Sequence, residues 1–265
     1  MDFSAKFMMK TPFLAAMVIL IAGLIHAADP LDGQRIFERV KQRYSACKTY
    51  SCTGTFSQKS TDNMFLGMGR NDDRSFAIKF RRPDHIRIDW TESLFWKIGK
   101  ETSSIYTEEG KIYSCSPTLG GPTPYPSISQ AIGVEAGVSG GISYLIPSLL
   151  LGESGYLDPW TITRGADSRV ACADCYSVIL ETKGFGIYTF DVAKADFSIM
   201  RAIQNFDASV VNAQRERAKK ENPAWFNDPP GTSDLSVSWK LVIEFQNLKF
   251  DEPISQGDFK YQKGR

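Results

Sequence analysis

Hydrophobic and polar side chains alternate along much of the first half of the chain. In "HIRIDWTE", Ile86, Ile88 and Trp90 fall on one side of an extended strand, and Arg87 and Asp89 fall on the other. A period of two predicts half-buried β-strands, and the turn signals between such runs predict an antiparallel meander. The other runs of this kind are "TYSCTGTFSQ", "SFAIKFRR", "LFWKIGKE", "SSIYTEE" and "KIYSCS".

A helical period precedes these strands. The segment "DGQRIFERVKQRYSAC", residues 32–47, places Ile36, Val40 and Tyr44 on one face and charged side chains elsewhere. Because apolar positions three and four residues apart form one stripe, this segment predicts an amphipathic helix.

Two further short helices are predicted in the middle of the chain, after the Gly/Pro-rich crossing "SPTLGGPTPYPSIS". Ser127, followed three residues later by Gln130, fits a capping box for the first helix. Ser139 is placed to cap the second helix, which begins the apolar run "ISYLIPSLLLGESGY" and in which Pro147 introduces a kink or restart.

Strand-like runs resume in the second half: "WTITRG", "CYSVILETKG", "GIYTFDVA", "FSIMRAIQNFD" and "SVSWKLVIEFQN". Residues 210–234 are highly charged and then Pro-rich, and they predict an inserted helix and loop. The whole pattern predicts an α+β fold, with an antiparallel sheet curved into an incomplete (half) β-barrel and a helical lid over one face. The junction of lid and sheet is either a packed core or a pocket.

The N-terminus carries the features of an export signal. Lys6 and Lys10 precede the apolar run "PFLAAMVILIAGLI", which ends in the small residues of "HAADP". This order predicts a signal peptide, residues 1–27, that is cleaved near Ala27 or Ala28 and leaves residues 28–265 as a single periplasmic domain. A retained membrane anchor is the alternative, because the run is near the lower length limit for spanning a bilayer.

Composition argues against several classes of function. The 31 Lys and Arg residues nearly balance the 30 Asp and Glu residues, whereas nucleic-acid binding draws its affinity from clustered positive charge. His85 is the one histidine after the predicted signal, so no histidine pair is available for a metal ion. We therefore expect no nucleic-acid partner, no metal site, no cofactor and no enzymatic activity.

Five cysteines suit an exported protein, and their odd number leaves at least one thiol unpaired within the chain. Cys172 and Cys175, in "ACADCY", are the natural candidates for a disulfide. Redox activity of this pair is an alternative, but the motif adjoins a strand rather than the start of a helix. The pairing of Cys47, Cys52 and Cys115 remains open.

The order of several segments resembles the periplasmic outer-membrane lipoprotein carrier superfamily, the Lol-type (LolA/LolB-like) half-barrels, in a branch of exported proteins of unassigned function. The resemblance spans most of the chain after the signal. The segments that carry it are "FAIKFRRPDHIRIDW", "KIYSCSP", "SISQAIGVEAG", "IPSLLLGE", "YTFDVAKADFSIMRAIQNF" and "NLKFDEPISQGDFKY". The insertion at 210–234 and the Gly-rich "GVEAGVSGG" depart from the pattern.

The resemblance implies an eleven-stranded unclosed barrel, a helical lid and a hydrophobic cavity that takes an acyl chain, a lipid or a lipoprotein. A carrier or chaperone is the leading hypothesis, with an inner- or outer-membrane partner protein at either end of transfer. The alternative is an envelope sensor or scaffold that binds a protein partner through the same apolar surface. Ordinary core packing remains the alternative role for each candidate residue. The candidate ligand-binding residues are Trp90, Phe95, Trp96, Tyr113, Ile132, Leu145, Ile146, Leu149, Leu150, Phe190 and Met200.

Overall fold

A computed structural model describes eight stretches of the chain: residues 31–60, 72–93, 100–116, 121–136, 139–153, 159–182, 186–221 and 239–261. The predicted signal peptide lies outside these stretches, as do the candidate residues Phe95 and Trp96 and most of the predicted loop within 210–234. The chain divides into residues 1–32 and the compact unit Gly33–Arg265, and every element below belongs to the second unit.

Four α-helices occur in the described stretches: α1 (Gly33–Ala46), α2 (Ile128–Val134), α3 (Ile142–Leu151) and α4 (Ala208–Glu221). A short 3₁₀ turn, Gln256–Phe259, follows the last strand. In these stretches no helix is long and apolar enough to cross a membrane.

The described strands are β1 (Thr49–Ser60), β2 (Asp72–Arg81), β3 (His85–Ser93), β4 (Lys100–Glu108), β5 (Lys111–Ser116), β6 (Gly121–Tyr125), β7 (Pro159–Arg164), β8 (Ser168–Val170), β9 (Ala173–Thr182), β10 (Ile187–Ala193), β11 (Ile199–Phe206) and β12 (Trp239–Phe250).

All described strand pairs are antiparallel, and they form one sheet in the order β6-β5-β4-β3-β2-β1-β12-β11-β10-β9-β7, with β8 paired to β9 beside this path. Because β12 inserts beside β1, the end of the chain joins the two halves of the sheet. Strands β6 and β7 are different ends of the order, so the sheet is open. The predicted α+β fold with an unclosed antiparallel sheet is confirmed.

Strand β6 differs from the prediction, which placed "GPTPY" in a crossing loop. Thr123 pairs with Ser114, while Pro122 and Pro124 pair with Cys115 and Tyr113 of β5. Proline is accepted here because β6 is an edge strand, where a missing N–H need not break a ladder. The edge strand β6 is followed directly in the chain by helix α2.

One face of the sheet, here called the inner face, carries the large apolar side chains. Phe56, Ile243, Ala202 and Phe190 lie opposite one another across β1, β12, β11 and β10. Their burial follows from the strand period of two, which sends alternate side chains to the same layer. The buried inner-face residues of the neighbouring strands are Phe76, Ile78, Phe80, Ile86, Ile88, Trp90, Ile105, Val178, Leu180, Leu241 and Phe245.

Helix α1 packs on this face as its sequence predicts. Its stripe residues Ile36, Val40 and Tyr44 are fully buried, and Phe37 stacks on Phe190 with ring centroids 6.2 Å apart. The Tyr44 hydroxyl accepts a 3.0 Å hydrogen bond from the backbone N–H of Ile199. Burial raises the pKa of this hydroxyl, so it stays neutral and holds the helix to β11.

The opposite, outer face of β2–β5 is covered by the segment that follows β12. In this C-terminal strap, residues 251–261, Phe259 is fully buried and its ring lies 5.4 Å from that of His85. Tyr261 stacks on Tyr106 at 5.1 Å. The strap therefore closes the outer face with aromatic contacts, while α1 packs on the inner one.

An ion pair between Lys79 and Asp258 holds the strap to β2. Hydrogen bonding to Lys79 and to Ser255 lowers the pKa of Asp258 from 3.8 to about 2. We expect Asp258→Asn to lower the free energy of unfolding by at most about 1 kcal/mol at neutral pH, because the pair is partly exposed. A carboxyl group whose pKa is lower in the folded protein stabilises the fold at pH values above its unfolded pKa. The difference in stability between Asp258→Asn and wild-type protein should therefore fade as the pH drops from 3.8 to about 2.

Urea unfolding of both proteins across that pH range measures the effect. Glu252→Gln is the control, since Glu252 pairs with Lys249 on an exposed part of the same segment. An Asp258→Asn difference that persists unchanged below pH 2 would show that the carboxyl's charge is not what holds the strap.

Candidate functional site

Helices α2 and α3 form a short pair held together by polar side chains. The Ser127 hydroxyl accepts from the backbone N–H of Gln130, as the predicted N-cap requires. The Ser139 hydroxyl accepts from the backbone N–H of Ser143 at 3.1 Å, but the N-cap of α3 is Gly141 and not the predicted Ser139. The Ser143 hydroxyl then donates to the carbonyl of Ile132 at 3.0 Å. The two helices are therefore joined to each other independently of the sheet.

The pair lies over the inner face of the sheet. An added Cβ on Gly140, in the turn before α3, would meet the Phe56 ring at 2.9 Å. At the other side of α2, the Ser114 hydroxyl of β5 donates to the Glu135 carboxylate. These two contacts place the pair above β1 and β5, where the prediction put a lid.

Helix α3 is enclosed on all sides rather than on a single face. Its residues from Leu145 to Leu150 are all buried, including Pro147 and Ser148. A helix that is apolar around its whole circumference belongs inside a protein. Four candidate ligand-binding residues, Leu145, Ile146, Leu149 and Leu150, therefore lie in the interior, and displacing α3 would expose them.

Arg82, which follows β2, fixes the C-terminal ends of α1 and α3. Its guanidinium donates to the carbonyl of Cys47 at 2.9 Å and also to the carbonyls of Ser45 and Leu150. These carbonyls belong to the ends of helices, where backbone acceptors have no intrahelical donor and carry partial negative charge. One cation thus connects the turn of the β2–β3 hairpin to both helices.

Tyrosine and glutamine side chains introduce polarity on the inner face near α3. The Tyr188 hydroxyl of β10 hydrogen-bonds the Gln204 side chain of β11, and burial raises the pKa of that hydroxyl. Tyr144 of α3 lies close enough to Tyr188 to raise its pKa further. Here the apolar layer between helix and sheet contains groups that form hydrogen bonds.

Two more polar atoms in this layer are buried without a partner in the described part of the chain. Trp90, on the inner face of β3, is 1% exposed, and Ser148, on α3, is 0% exposed. Neither the Trp90 Nε1 donor nor the Ser148 Oγ atom makes a hydrogen bond to any residue in the described stretches. Because nearly all buried polar groups in native proteins are hydrogen-bonded, such atoms require an explanation, and a bound group is one.

Most of the candidate ligand-binding residues that the structure describes come together in these two layers. Trp90 and Phe190 are buried on the inner face, while Ile132 of α2 and the four α3 residues are buried above it. The structure does not distinguish ligand contacts from core packing at these positions, so their binding role stays a prediction.

Two candidates lie elsewhere. Tyr113 of β5 stacks on Tyr106, which in turn stacks on Tyr261 of the C-terminal strap. It is therefore on the outer face, away from Trp90. Met200 is half-buried beside a bulge in the β10–β11 pairing, and its sulfur is 3.7 Å from the Ser198 hydroxyl.

The structure holds all five cysteines as free thiols, so the predicted Cys172–Cys175 bridge is not formed in it. Cys172 is exposed in the tight turn of the β8–β9 hairpin, whereas Cys175 is buried on β9. Burial raises the pKa of the Cys175 thiol and that of Cys52, the latter to about 12. Within the described stretches, no group of three or more His, Cys, Asp or Glu side chains is placed to hold a metal ion.

Comparison with known proteins concerns the fold. No protein-family model and no curated protein sequence matches the chain. Similar solved structures include a LolA superfamily protein from Nitrosomonas europaea, at 10% identity and a TM-score of 0.35, over 87% of this chain and 98% of that one. LprF from Mycobacterium bovis matches at 7% identity and a TM-score of 0.43, over 84% and 94%.

A third similar structure is the MucA/MucB complex of Pseudomonas aeruginosa, at 8% identity and a TM-score of 0.42, over 87% of this chain and 61% of that one. The solved structures that this chain resembles thus include a member of the superfamily that the sequence resembles. Because the TM-scores of these three matches are all below 0.5, the fold described above is established by the strand pairing of the chain itself.

Proposed function

We propose that this protein is exported to the periplasm and binds a hydrophobic ligand, such as an acyl chain, a lipid or a lipoprotein, between α3 and the inner face. The observation that carries the proposal is that two buried polar atoms, Trp90 Nε1 on the inner face and Ser148 Oγ on α3, have no hydrogen-bond partner among the described residues. An amphiphile lying between helix and sheet would place hydrocarbon against the apolar side chains and supply a partner for these atoms. The predicted export signal supports the compartment.

Burial of hydrocarbon provides enough free energy for such binding. Each methylene removed from water contributes about 0.8 kcal/mol, so a sixteen-carbon chain yields about 12 kcal/mol before costs. Displacing α3 exposes its own leucine and isoleucine side chains and offsets part of that gain. Binding and release then both remain accessible, as a carrier or chaperone requires.

The location of the apolar residues favours an interior ligand over a protein partner on the same surface. Val134 of α2, at 57% exposure, is the large hydrophobic residue that stands exposed within the described stretches. A docking surface for a protein partner would show a contiguous apolar patch instead. A sensor that grips an envelope protein would first have to release α3 from its enclosure.

We also propose that the protein is not an enzyme. A thiol-exchange cysteine needs a lowered pKa and access to its substrate. The Cys175 thiol is buried and its pKa is raised by burial, and Cys172 occupies a hairpin turn rather than a helix N-terminus. A dithiol-reductase assay should therefore give only the background rate.

The test of ligand binding is extraction. The protein is secreted with its own N-terminal segment, purified without detergent and extracted with organic solvent, and the extract is analysed by mass spectrometry. We expect a lipid or acylated species in near-stoichiometric amount. Protein that yields no lipid and takes up no fluorescent acyl probe would contradict the proposal, and capture of an envelope protein by that empty form would favour the sensor.

A further inference from the structure

Glu135, at the C-terminal end of α2, is the most unusual acidic residue in the described part of the chain. It is 1% exposed. One carboxylate oxygen accepts a hydrogen bond from the Ser114 hydroxyl, and the other, Oε2, is buried without a partner at hydrogen-bond geometry among the described residues. Within the described stretches, Glu135 has no Lys, Arg or His partner in an ion pair.

The position of Glu135 in its helix adds to the electrostatic cost. Its own backbone N–H bonds the carbonyl of Ala131, and it is the C-cap of α2. A helix C-terminus carries partial negative charge, which favours cations there and disfavours a carboxylate. A buried carboxylate is normally paired with a positive charge, because leaving water is costly for an isolated ion.

The Glu135 carboxylate affects the pKa of a neighbouring tyrosine. Burial raises the pKa of Tyr125 of β6, and so do the charge of the Glu135 carboxylate and a side-chain hydrogen bond to that carboxylate. Tyr125 and Ser114 thus approach the same side chain from the sheet edge, and neither carries positive charge. The described residues around Glu135 supply hydrogen-bond donors but no cation.

A row of polar side chains on the inner face leads from this carboxylate toward Trp90. Trp90 of β3 lies opposite Ser103 of β4, and the β4–β5 register continues this row to Ser116. Ser114, the partner of Glu135, is two residues before Ser116 on β5. Adjacent strands are about 4.8 Å apart and alternate residues about 6.6 Å apart, so this whole polar strip spans only about 12 Å. Trp90, Ser103, Ser114 and Ser116 are all buried.

We propose that this polar strip receives the head group of the ligand, and that the head group carries a protonated amine that pairs with Glu135. The inference rests on the proposed binding of a hydrophobic ligand and deepens it by naming the class: an amphiphile with an ammonium group, not a fatty-acid anion. The ammonium supplies the missing cation to Oε2. The hydrocarbon then extends beneath α3, past Trp90.

Three probes with the same twelve-carbon chain test the head group: dodecylamine, dodecanoate and dodecan-1-ol. Their affinities are measured by displacement of a fluorescent acyl probe from the purified full chain after delipidation. A hydrogen bond to a charged group contributes about 1.5 to 3 kcal/mol, so dodecylamine should bind at least about tenfold more tightly than either of the other two.

Glu135→Gln keeps the size of the side chain and removes its charge. We expect it to reduce the preference for dodecylamine over dodecan-1-ol to within about threefold, while the affinity for the alcohol stays nearly constant. Glu153→Gln is the matched control, because Glu153 follows α3, is exposed and bonds the Ser129 hydroxyl. It should leave all three affinities unchanged. Thermal unfolding of each variant verifies that it is folded.

The outcomes separate this inference from the proposed function. If the three probes bind wild-type protein equally, or dodecanoate binds best, the head-group inference is overturned while hydrophobic binding stands. A preference for dodecylamine that survives in Glu135→Gln also overturns it. If no probe binds at all, both the head-group inference and the proposed function are lost.

Discussion

Replacing Arg82 by leucine is expected to release α3 and to lower the free energy of unfolding by about 3 kcal/mol. The substitution leaves the carbonyls of Ser45, Cys47 and Leu150 without their donor. Leucine retains apolar contact with the Phe80 ring, above which the guanidinium now lies at 5.3 Å. The loss therefore reports on the hydrogen bonds to the two helix ends.

Hydrogen exchange followed by mass spectrometry localises the effect. We expect faster exchange in α3, residues 142–151, and in the last turn of α1, with little change in β9 and β10. If α3 covers a ligand, the same variant should exchange a bound acyl probe faster than wild-type protein.

Arg81→Leu is the matched control for this experiment. Arg81 is adjacent in sequence but bonds the carbonyl of Ile254 and the side chain of Gln256, both in the C-terminal strap. It should loosen the strap and leave α3 protected. Equal exchange in α3 for Arg82→Leu and wild-type protein would mean that packing alone holds the helix.

The sequence predicted the local elements well wherever one period dominated. Alternation in "HIRIDW" correctly placed Ile86, Ile88 and Trp90 in one buried layer. The stripe of residues 32–47 became α1, Gly33–Ala46, with its apolar side chains against the sheet. Such patterns succeed because burial of one face is the main source of stability for an isolated strand or helix.

The same reasoning failed where both faces of an element are covered. Tyr113 was grouped with Trp90 as a candidate ligand-binding residue, but it lies on the outer face of β5, which the C-terminal strap makes an aromatic site as well. For α3, a run that is apolar throughout has no favoured side, so its period could not show that Leu145 to Leu150 are all buried. The period of a sequence does not show what covers the second face.

The residues that sequence analysis missed depend on contacts between distant parts of the chain. Arg82 lies in the segment "FAIKFRRPDHIRIDW", which was used only for the family resemblance. Its hydrogen-bond partners lie at residues 45, 47 and 150. In the sequence, Glu135 looks like an ordinary polar residue at the end of a helix. Only the approach of β5 makes it a buried carboxylate. In both cases the sequence shows a charged residue beside an apolar element. It does not show which residue will contact that charge in the folded protein.

The most severe single substitution should be Gly54→Ala in the centre of β1. A methyl group there would lie 2.3 Å from the carbonyl oxygen of Glu244 and 2.4 Å from Cζ of Phe76. Gly54 is paired with both neighbouring strands, so its backbone cannot retreat in the plane of the sheet. The missing side chain is what lets Phe76 cross over β1 and meet Phe245 edge to face at 5.6 Å.

We expect Gly54→Ala to lower the free energy of unfolding by about 3 kcal/mol or more, as overpacked core sites do. Gly133→Ala is the control, because a methyl group there meets nothing within 4 Å and alanine favours the helix by about 1 kcal/mol. Urea unfolding followed by tryptophan fluorescence measures both. Phe76→Leu should partly rescue Gly54→Ala by removing the ring clash, since contacting residues are energetically coupled. Full stability of Gly54→Ala alone would mean that the Phe76 ring does not lie against β1.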